Sequence, residues 1–234
     1  MPLNISQIEQ LELSIRDFVD DLYEDYVSTL SKLVKESFDE GIHNAEKNMK
    51  SKITFKRKQD IYNTIPETID YVEERITPAF DTMYNTLTDL LEQCIQNKLN
   101  LNDTKKILTD KIRYLEKHIP FDSVGQIVET SEIIDGLIIP AKKTITKKHT
   151  MKTDDYFGYV SRDVAKMAYL QSKLNGYKLK GYSRFKYVSK NDSRTRPEHK
   201  KLHNRVFEIG SYDAGLALKE MMKPNCRCDM IPKN

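Results

Sequence analysis

The apolar side chains at the start of the chain recur in steps of three and four. Leu11, Ile15, Phe18, Leu22, Tyr26, Leu30 and Leu33 therefore share one face of a helix. A strand would need a period of two, so this spacing excludes a sheet here and demands an apolar partner along the whole stripe. Ser6 with Glu9 three positions on has the spacing of a capping box. The pattern predicts a helix from Ile8 to about Phe38 or beyond, which Gly41 weakens without ending. At about 30 residues or more it is longer than most globular helices, which points to an extended bundle or a contact with a partner.

Two later stretches repeat the signal. Thr64 with Pro66, and Thr77 with Pro78, read as helix starts, because proline in the first turn forfeits no helical hydrogen bond. Phe80, Met83, Tyr84, Leu87, Leu90, Leu91, Cys94 and Ile95 form an amphipathic run that ends near Leu99. Asn102-Asp103 starts another, carrying Ile107, Leu108, Ile112 and Leu115, and Pro120 stops it. Residues 1–120 thus read as an acidic helical region. Ile133 to Pro140 is β-branched and bounded by breakers, as in a short strand or hairpin. The following run, Lys142, Lys143, Lys147, Lys148 and His149, has no apolar period and reads as a solvated loop. Residues 121–152 are accordingly a linker or hairpin with a basic loop.

Residues 153–234 read as a small α+β module. A helix capped by Thr153 is expected from Asp154 to Leu174, closing at Asn175-Gly176. From Tyr177 to Val188 large apolar and basic residues alternate, which predicts strands with a basic outer face. The fold class is mainly α, an N-terminal bundle or set of extended helices followed by that module.

Composition narrows the classes of function. At 234 residues, 31% charged and 38% hydrophobic, the chain can bury a real core as one domain or two modest ones. It holds no apolar run near the 18–20 residues or so of a membrane span. Its N-terminus lacks the basic start and apolar stretch of a secretory signal. Three cysteines cannot all pair; Cys94 lies in a helical stripe, and reduced thiols in a cytoplasm are expected.

The net charge of +3 conceals a division. Residues 140–234 carry 22 Lys and Arg against 9 Asp and Glu, a net of +13, while the remaining 139 carry a net of −10. Either the halves meet different partners, or they complement each other within one particle or oligomer. The basic half suits double-stranded DNA, since lysine and arginine neutralise phosphates without regard to sequence. Lys142, Lys143, Lys147, Lys148, Lys178, Lys180, Arg184 and Lys186 are the candidates for such proximity.

The densest chemistry lies near the end. Asp192, Arg194, Arg196 and His199 fall within eight positions, and Pro224-Asn225-Cys226-Arg227-Cys228 follows about twenty residues after Phe207. An Asp–Arg pair this close can lock a turn, and Pro197 suits the first turn of a helix. On that helix His199 and His203 would share a face at i and i+4. With Cys226 and Cys228 they make up the ligand types of a tetrahedral zinc site, although one residue between cysteines is fewer than the usual two to four. A Cys–His pair also has the atoms for nucleophilic catalysis, but no oxyanion or orienting element is visible. No cofactor is expected, with zinc as the alternative.

This ordered set resembles the signature of the phage Mu F-like minor head (head morphogenesis) family. The matching residues are Asp192, Arg194, Arg196, His199, Leu202, Phe207, Pro224, Asn225, Cys226, Arg227 and Cys228, within about residues 185–228. Where the family has a tryptophan before the Asp motif, this chain has Tyr187; its glycine after Leu-x is Asn204, its final histidine is Lys223, and its Arg-Thr-Glu is not evident among Ala165 to Tyr169. Asn204 is lenient, being the next-best residue for positive φ.

The resemblance implies a non-enzymatic virion protein of the phage or phage-satellite head. It would act in few copies in head assembly, bound to portal or major capsid protein, and sometimes with DNA being packaged or ejected. Oligomerisation through the N-terminal helices, and assembly in the host cytoplasm, fit that picture. Only six residues follow Cys228, so an appended effector domain is not expected. Two alternatives remain: a nuclease or toxin-like enzyme using His199 with Asp192 and Arg194 or Arg196, and a non-specific DNA-binding protein.

Overall fold

A computed structural model describes the backbone of residues 1–134, 137–223 and 225–234, and their side chains except over 121–149. The elements in chain order are α1 (Ile5–Met49), α2 (Phe55–Tyr62), α3 (Ile65–Gln96), α4 (Leu101–Lys117), β1 (His118–Ile134) and β2 (Leu137–Lys152). There follow α5 (Thr153–Leu179), β3 (Arg184–Val188), α6 (Pro197–Leu202), β4 (Val206–Glu208), α7 (Tyr212–Met221) and β5 (Asp229–Lys233). This is the mainly α chain with a small α+β C-terminal module that the periodicity predicts. No helix among the described residues is long and apolar enough to cross a membrane.

The chain forms two compact units, each made of two segments: Met1–Asp25 with Glu74–Gly158, and Tyr26–Glu73 with Tyr159–Asn234. The first carries 13 Lys and Arg against 20 Asp and Glu, a net of −7; the second carries 25 against 15, a net of +10. The charge division therefore survives folding, along different boundaries.

In the first unit the stripes of α1, α3 and α4 supply the core. Leu11, Ile15, Val19, Phe80, Met83, Leu87, Leu91, Cys94, Leu108 and Leu115 are buried. Tyr23 meets Phe80 edge-on at 5.3 Å, and Phe157 lies 6.2 Å from Phe80. Helix α1 starts with a reciprocal pair, Asn4 Oδ1 accepting from Gln7 N and Asn4 N donating to Gln7 Oε1, rather than with Ser6 and Glu9. Asn100 caps α4 by accepting from Asp103 N, two residues ahead of the expected start. Pro78, expected to begin a helix, sits inside α3. There the Tyr156 hydroxyl donates to the Arg75 carbonyl at 3.2 Å, one residue on from the Glu74 carbonyl that Pro78 has no N–H to serve.

Antiparallel β1 and β2 pair from His118↔Lys152 to Ile134↔Leu137, with one irregularity between Val124 and Ile127. The hairpin expected at Ile133 to Pro140 is thus only the tip of a much longer ribbon, with Asp135 and Gly136 outside the described residues. Lys142, Lys143, Lys147 and Lys148 lie on β2, not in a loop. Their side chains, too, lie outside the described residues. β-branched Thr144, Ile145 and Thr146 between the lysines favour the extended backbone, which a reading by charge alone overlooked.

In the second unit, α1 and α5 approach closely. A Cβ on Gly41 would lie 2.0 Å from Ser172 Oγ and 2.5 Å from the Tyr169 carbonyl oxygen. One on Gly176 would meet Ala45 Cβ at 3.0 Å and Ile53 Cδ1 at 3.2 Å. Gly176 is therefore a packing residue inside α5 rather than the expected helix stop. The helix ends three residues later in a Schellman motif: Tyr182 N–H bonds the Tyr177 carbonyl, Gly181 N–H bonds that of Lys178, and Gly181 has φ +83. Tyr177 to Leu179 are helical in consequence, and only Arg184–Val188 of the expected strand region forms a strand.

That strand, β3, is central in a three-stranded antiparallel sheet of order β4-β3-β5. Phe185 and Tyr187 point to the core, while Arg184 is exposed and Lys186 half-buried, which is the basic outer face expected. Phe207, the core residue of β4, stacks on Phe185 at 5.6 Å.

Candidate functional site

The sheet brings the two halves of the C-terminal constellation together. Three asparagines in the left-handed region shape the approach: Asn191 (φ 55), Asn204 (φ 66) and Asn225 (φ 58). Apart from glycine, asparagine tolerates this conformation best. Asn204, standing where the family signature has glycine, turns the chain so that its N–H donates to the Tyr187 carbonyl and Tyr187 N–H donates to that of Arg205.

Asp192 organises the turn before α6. It accepts from Arg194 N–H at 3.1 Å and from the Thr195 hydroxyl at 3.0 Å, while Thr195 N–H returns to the Asp192 carbonyl. Its guanidinium partner is Arg227, whose Nη2 lies 2.7 Å from both carboxylate oxygens. Arg194 serves the turn through its backbone N–H, and the guanidinium that reaches the Asp192 carboxylate comes from Arg227, 35 residues on. The Arg227 guanidinium, helped by Thr195 and Arg194 N–H, holds the Asp192 carboxyl down at about 2.

Pro197 opens α6 at its first turn as expected, and the third residue of that helix is His199, only 2% exposed. Its Nδ1 faces Cys228 Sγ at 3.1 Å, the Tyr187 hydroxyl at 3.3 Å and Cys226 Sγ at 3.4 Å. Its Nε2 faces Glu220 Oε2 at 3.4 Å without hydrogen-bond geometry, and that oxygen also lies 2.7 Å from Lys223 Nζ. Glu220 is carried there by α7, which Ser211 caps and Ala214, Ala217 and Met221 anchor.

His203 does not join them. Helix α6 stops at Leu202, so His203 lies beyond the i, i+4 geometry, and its Nδ1 accepts instead from Ser189 N–H at 3.1 Å. Leu202 is half-buried, Arg196 occupies the N-cap position of α6, and Pro224 lies outside the described residues.

Cys226 and Cys228 are free thiols, as is Cys94, which is buried in α3 as expected. Cys228 N–H donates to Cys226 Sγ at 3.3 Å. The Cys228 thiol beside it lowers the pKa of Cys226 against the opposing effect of burial, and Cys228 is raised in turn. The His199, Cys226 and Cys228 ligand atoms all lie within 4.8 Å of one another. The three residues line a cavity of about 290 Å³ whose wall also includes Lys190, Arg194, Arg196 and Arg227. Two sulfurs beside a buried imidazole can hold a soft cation or, with a suitable oxyanion donor, supply a nucleophile.

Helix α5 fixes the cysteine segment from behind. Lys166, Tyr169, Lys173 and Tyr177 recur at helical spacing. Lys166 Nζ donates to the Cys228 carbonyl at 3.0 Å, Lys173 Nζ lies 2.7 Å from Asp229, and the Tyr177 hydroxyl donates to the Met230 carbonyl at 3.0 Å. Burial lowers the pKa of Lys173 and the Asp229 carboxylate opposes that shift. Sequence reasoning missed this stripe, although the spacing of four polar side chains on one helical face was available to find it. Glu220 left no comparable signal. Of the DNA-proximal candidates, Lys178 and Arg184 are exposed, while Lys180 Nζ donates to Ser51 Oγ at 3.0 Å.

Residues 124–231 match the family model described as Phage Mu protein F like protein. No curated protein and no solved structure matches the chain.

Proposed function

We infer that this chain, which carries a phage Mu protein F-like region and so is related to phage head proteins, is a minor head protein that acts in head assembly through protein contacts. The family match is the observation that carries the reading. Its partners are the portal protein, the major capsid protein or both, and its positively charged unit lies near packaged or ejected DNA. Two features support this. The unit Tyr26–Glu73 with Tyr159–Asn234 carries a net of +10, suited to phosphate neutralisation. The β1–β2 ribbon has no third strand among the described residues, and two-stranded ribbons are marginal in water unless something packs on them.

Nuclease chemistry gains no support from the geometry. The Asp192 carboxylate is committed to Arg227 and the turn, and both nitrogens of His199 face protein groups in a buried setting, so neither is presented to solvent as a general base.

Co-expression with the portal and major capsid proteins of the same genome, followed by affinity capture, tests the reading. Stable co-purification with at least one of them is expected, and capture of neither overturns it. Binding to double-stranded DNA should fall steeply between low and moderate salt; salt-insensitive or absent binding removes the DNA part alone.

A further inference from the structure

We propose that His199 Nδ1 and the sulfurs of Cys226 and Cys228 are three ligands of a zinc ion, with the fourth position open to the adjoining cavity. A tetrahedral zinc with ordinary Zn–S and Zn–N lengths sets each N···S pair about 3.6 Å apart. The two such separations here are 3.1 and 3.4 Å, so an ion enters with movements of a few tenths of an ångström. The donors are of the right kind, two thiols and an imidazole, and they converge from segments 27 and 29 residues apart.

A second observation points the same way. His199 Nε2 is buried without a hydrogen bond, opposite the Glu220 carboxylate at 3.4 Å. Histidines that bind metal through one nitrogen commonly present the other to a carboxylate, which fixes the ring and its tautomer. With Nδ1 on the metal, Nε2 carries the proton and Glu220 is its acceptor. The backbone is also built to hold the sulfurs still: Asn225 lies in the left-handed region, Cys228 N–H bonds Cys226 Sγ, and Lys166 holds the Cys228 carbonyl. Since Cys226 is half-buried and the cavity wall includes all three ligand residues, water completes the coordination. The ion ties the segment before β5 to α6, crosslinking the small sheet module.

The full-length chain, expressed with zinc in the medium and purified reduced and without a histidine tag, should contain about one zinc per chain by elemental mass spectrometry. Cys226→Ser and Cys228→Ser should each bring zinc to background, whereas His203→Ala keeps it. Wild-type protein gives a measurement independent of how the variants fold. After chelation, native alkylation should modify Cys226, one equivalent of added zinc should block it, and cobalt should produce a thiolate charge-transfer band. Absence of zinc together with no protection by added zinc overturns the proposal. So does full zinc retention in both serine variants, or a Cys226–Cys228 disulfide in freshly isolated protein. The readouts do not depend on a role in the head.

Discussion

Where α5 meets α1, contact is made by leaving side chains out; where α5 meets β5, it is made by putting polar ones in. At the first seam Gly41 and Gly176 let two helices approach until a single methyl would collide with backbone or a neighbouring methyl. At the second, Lys166, Lys173 and Tyr177 reach across to the Cys228 carbonyl, the Asp229 carboxylate and the Met230 carbonyl. A seam defined by absent atoms is intolerant, because a hydroxyl such as that of Ser172 can rotate away but the Tyr169 carbonyl, being backbone, cannot. A seam of charged and hydroxylated side chains adjusts more readily, but any partner left alone within it is a buried unpaired group.

The sharpest way to break this contrast is at Gly41. Gly41→Ala forces a methyl against the Tyr169 carbonyl, which cannot move without moving α5, and should destabilise the chain by about 3 kcal/mol. The urea midpoint at constant slope measures it; a loss below about 0.5 kcal/mol would mean that the seam is not tight.

Asp229→Ala tests the polar seam. Lys173 is fully buried and Asp229 is 41% exposed, so removing the carboxylate strands the ammonium at a cost discounted for solvent, about 2 kcal/mol. Adding Lys173→Met should recover most of the loss. Independent, additive effects in the double variant would contradict the pairing.

A smaller effect is expected at Asp192. Its folded pKa of about 2 lies below the ordinary value of 3.8, so its stabilisation is complete above about pH 4 and is lost as pH falls through about 2. Asp192→Asn should remove that part of the acid-side pH dependence in chemical unfolding curves. An unchanged slope between pH 4 and 2 would show that the Arg227 pair contributes nothing. The smallest change should come from Gly158→Ala, where a helical Cβ meets nothing within 4 Å. There a gain of about 0.5–1 kcal/mol is expected, the opposite sign to Gly41.

The same contrast explains what the sequence made legible. Stripes such as Leu11, Ile15 and Leu30, or Phe80, Met83, Leu87 and Leu91, announce helices because burial imposes their period. Phe185 and Tyr187 announce a strand for the same reason. Gly176 misled because a glycine that ends a helix and one that admits a neighbour look alike in one dimension. Pro78 misled because a helix with tertiary support tolerates a missing N–H. At the site, Asp192, His199, Cys226 and Cys228 were visible as residues, but their partners were not. Arg227 reaches Asp192 over 35 positions, and Glu220 reaches His199 from another helix. His203, though correctly spaced, was lost because α6 stops at Leu202, one residue before it. Local spacing finds donors, whereas pairing between distant segments is settled by the sheet.

The proposed role makes this chain part of a phage head. Quantitative mass spectrometry of particles purified from the phage or satellite that encodes it tests that most directly. Peptides of this chain are expected in mature heads, in far fewer copies than the major capsid protein. Their absence from heads at every stage of assembly would contradict it.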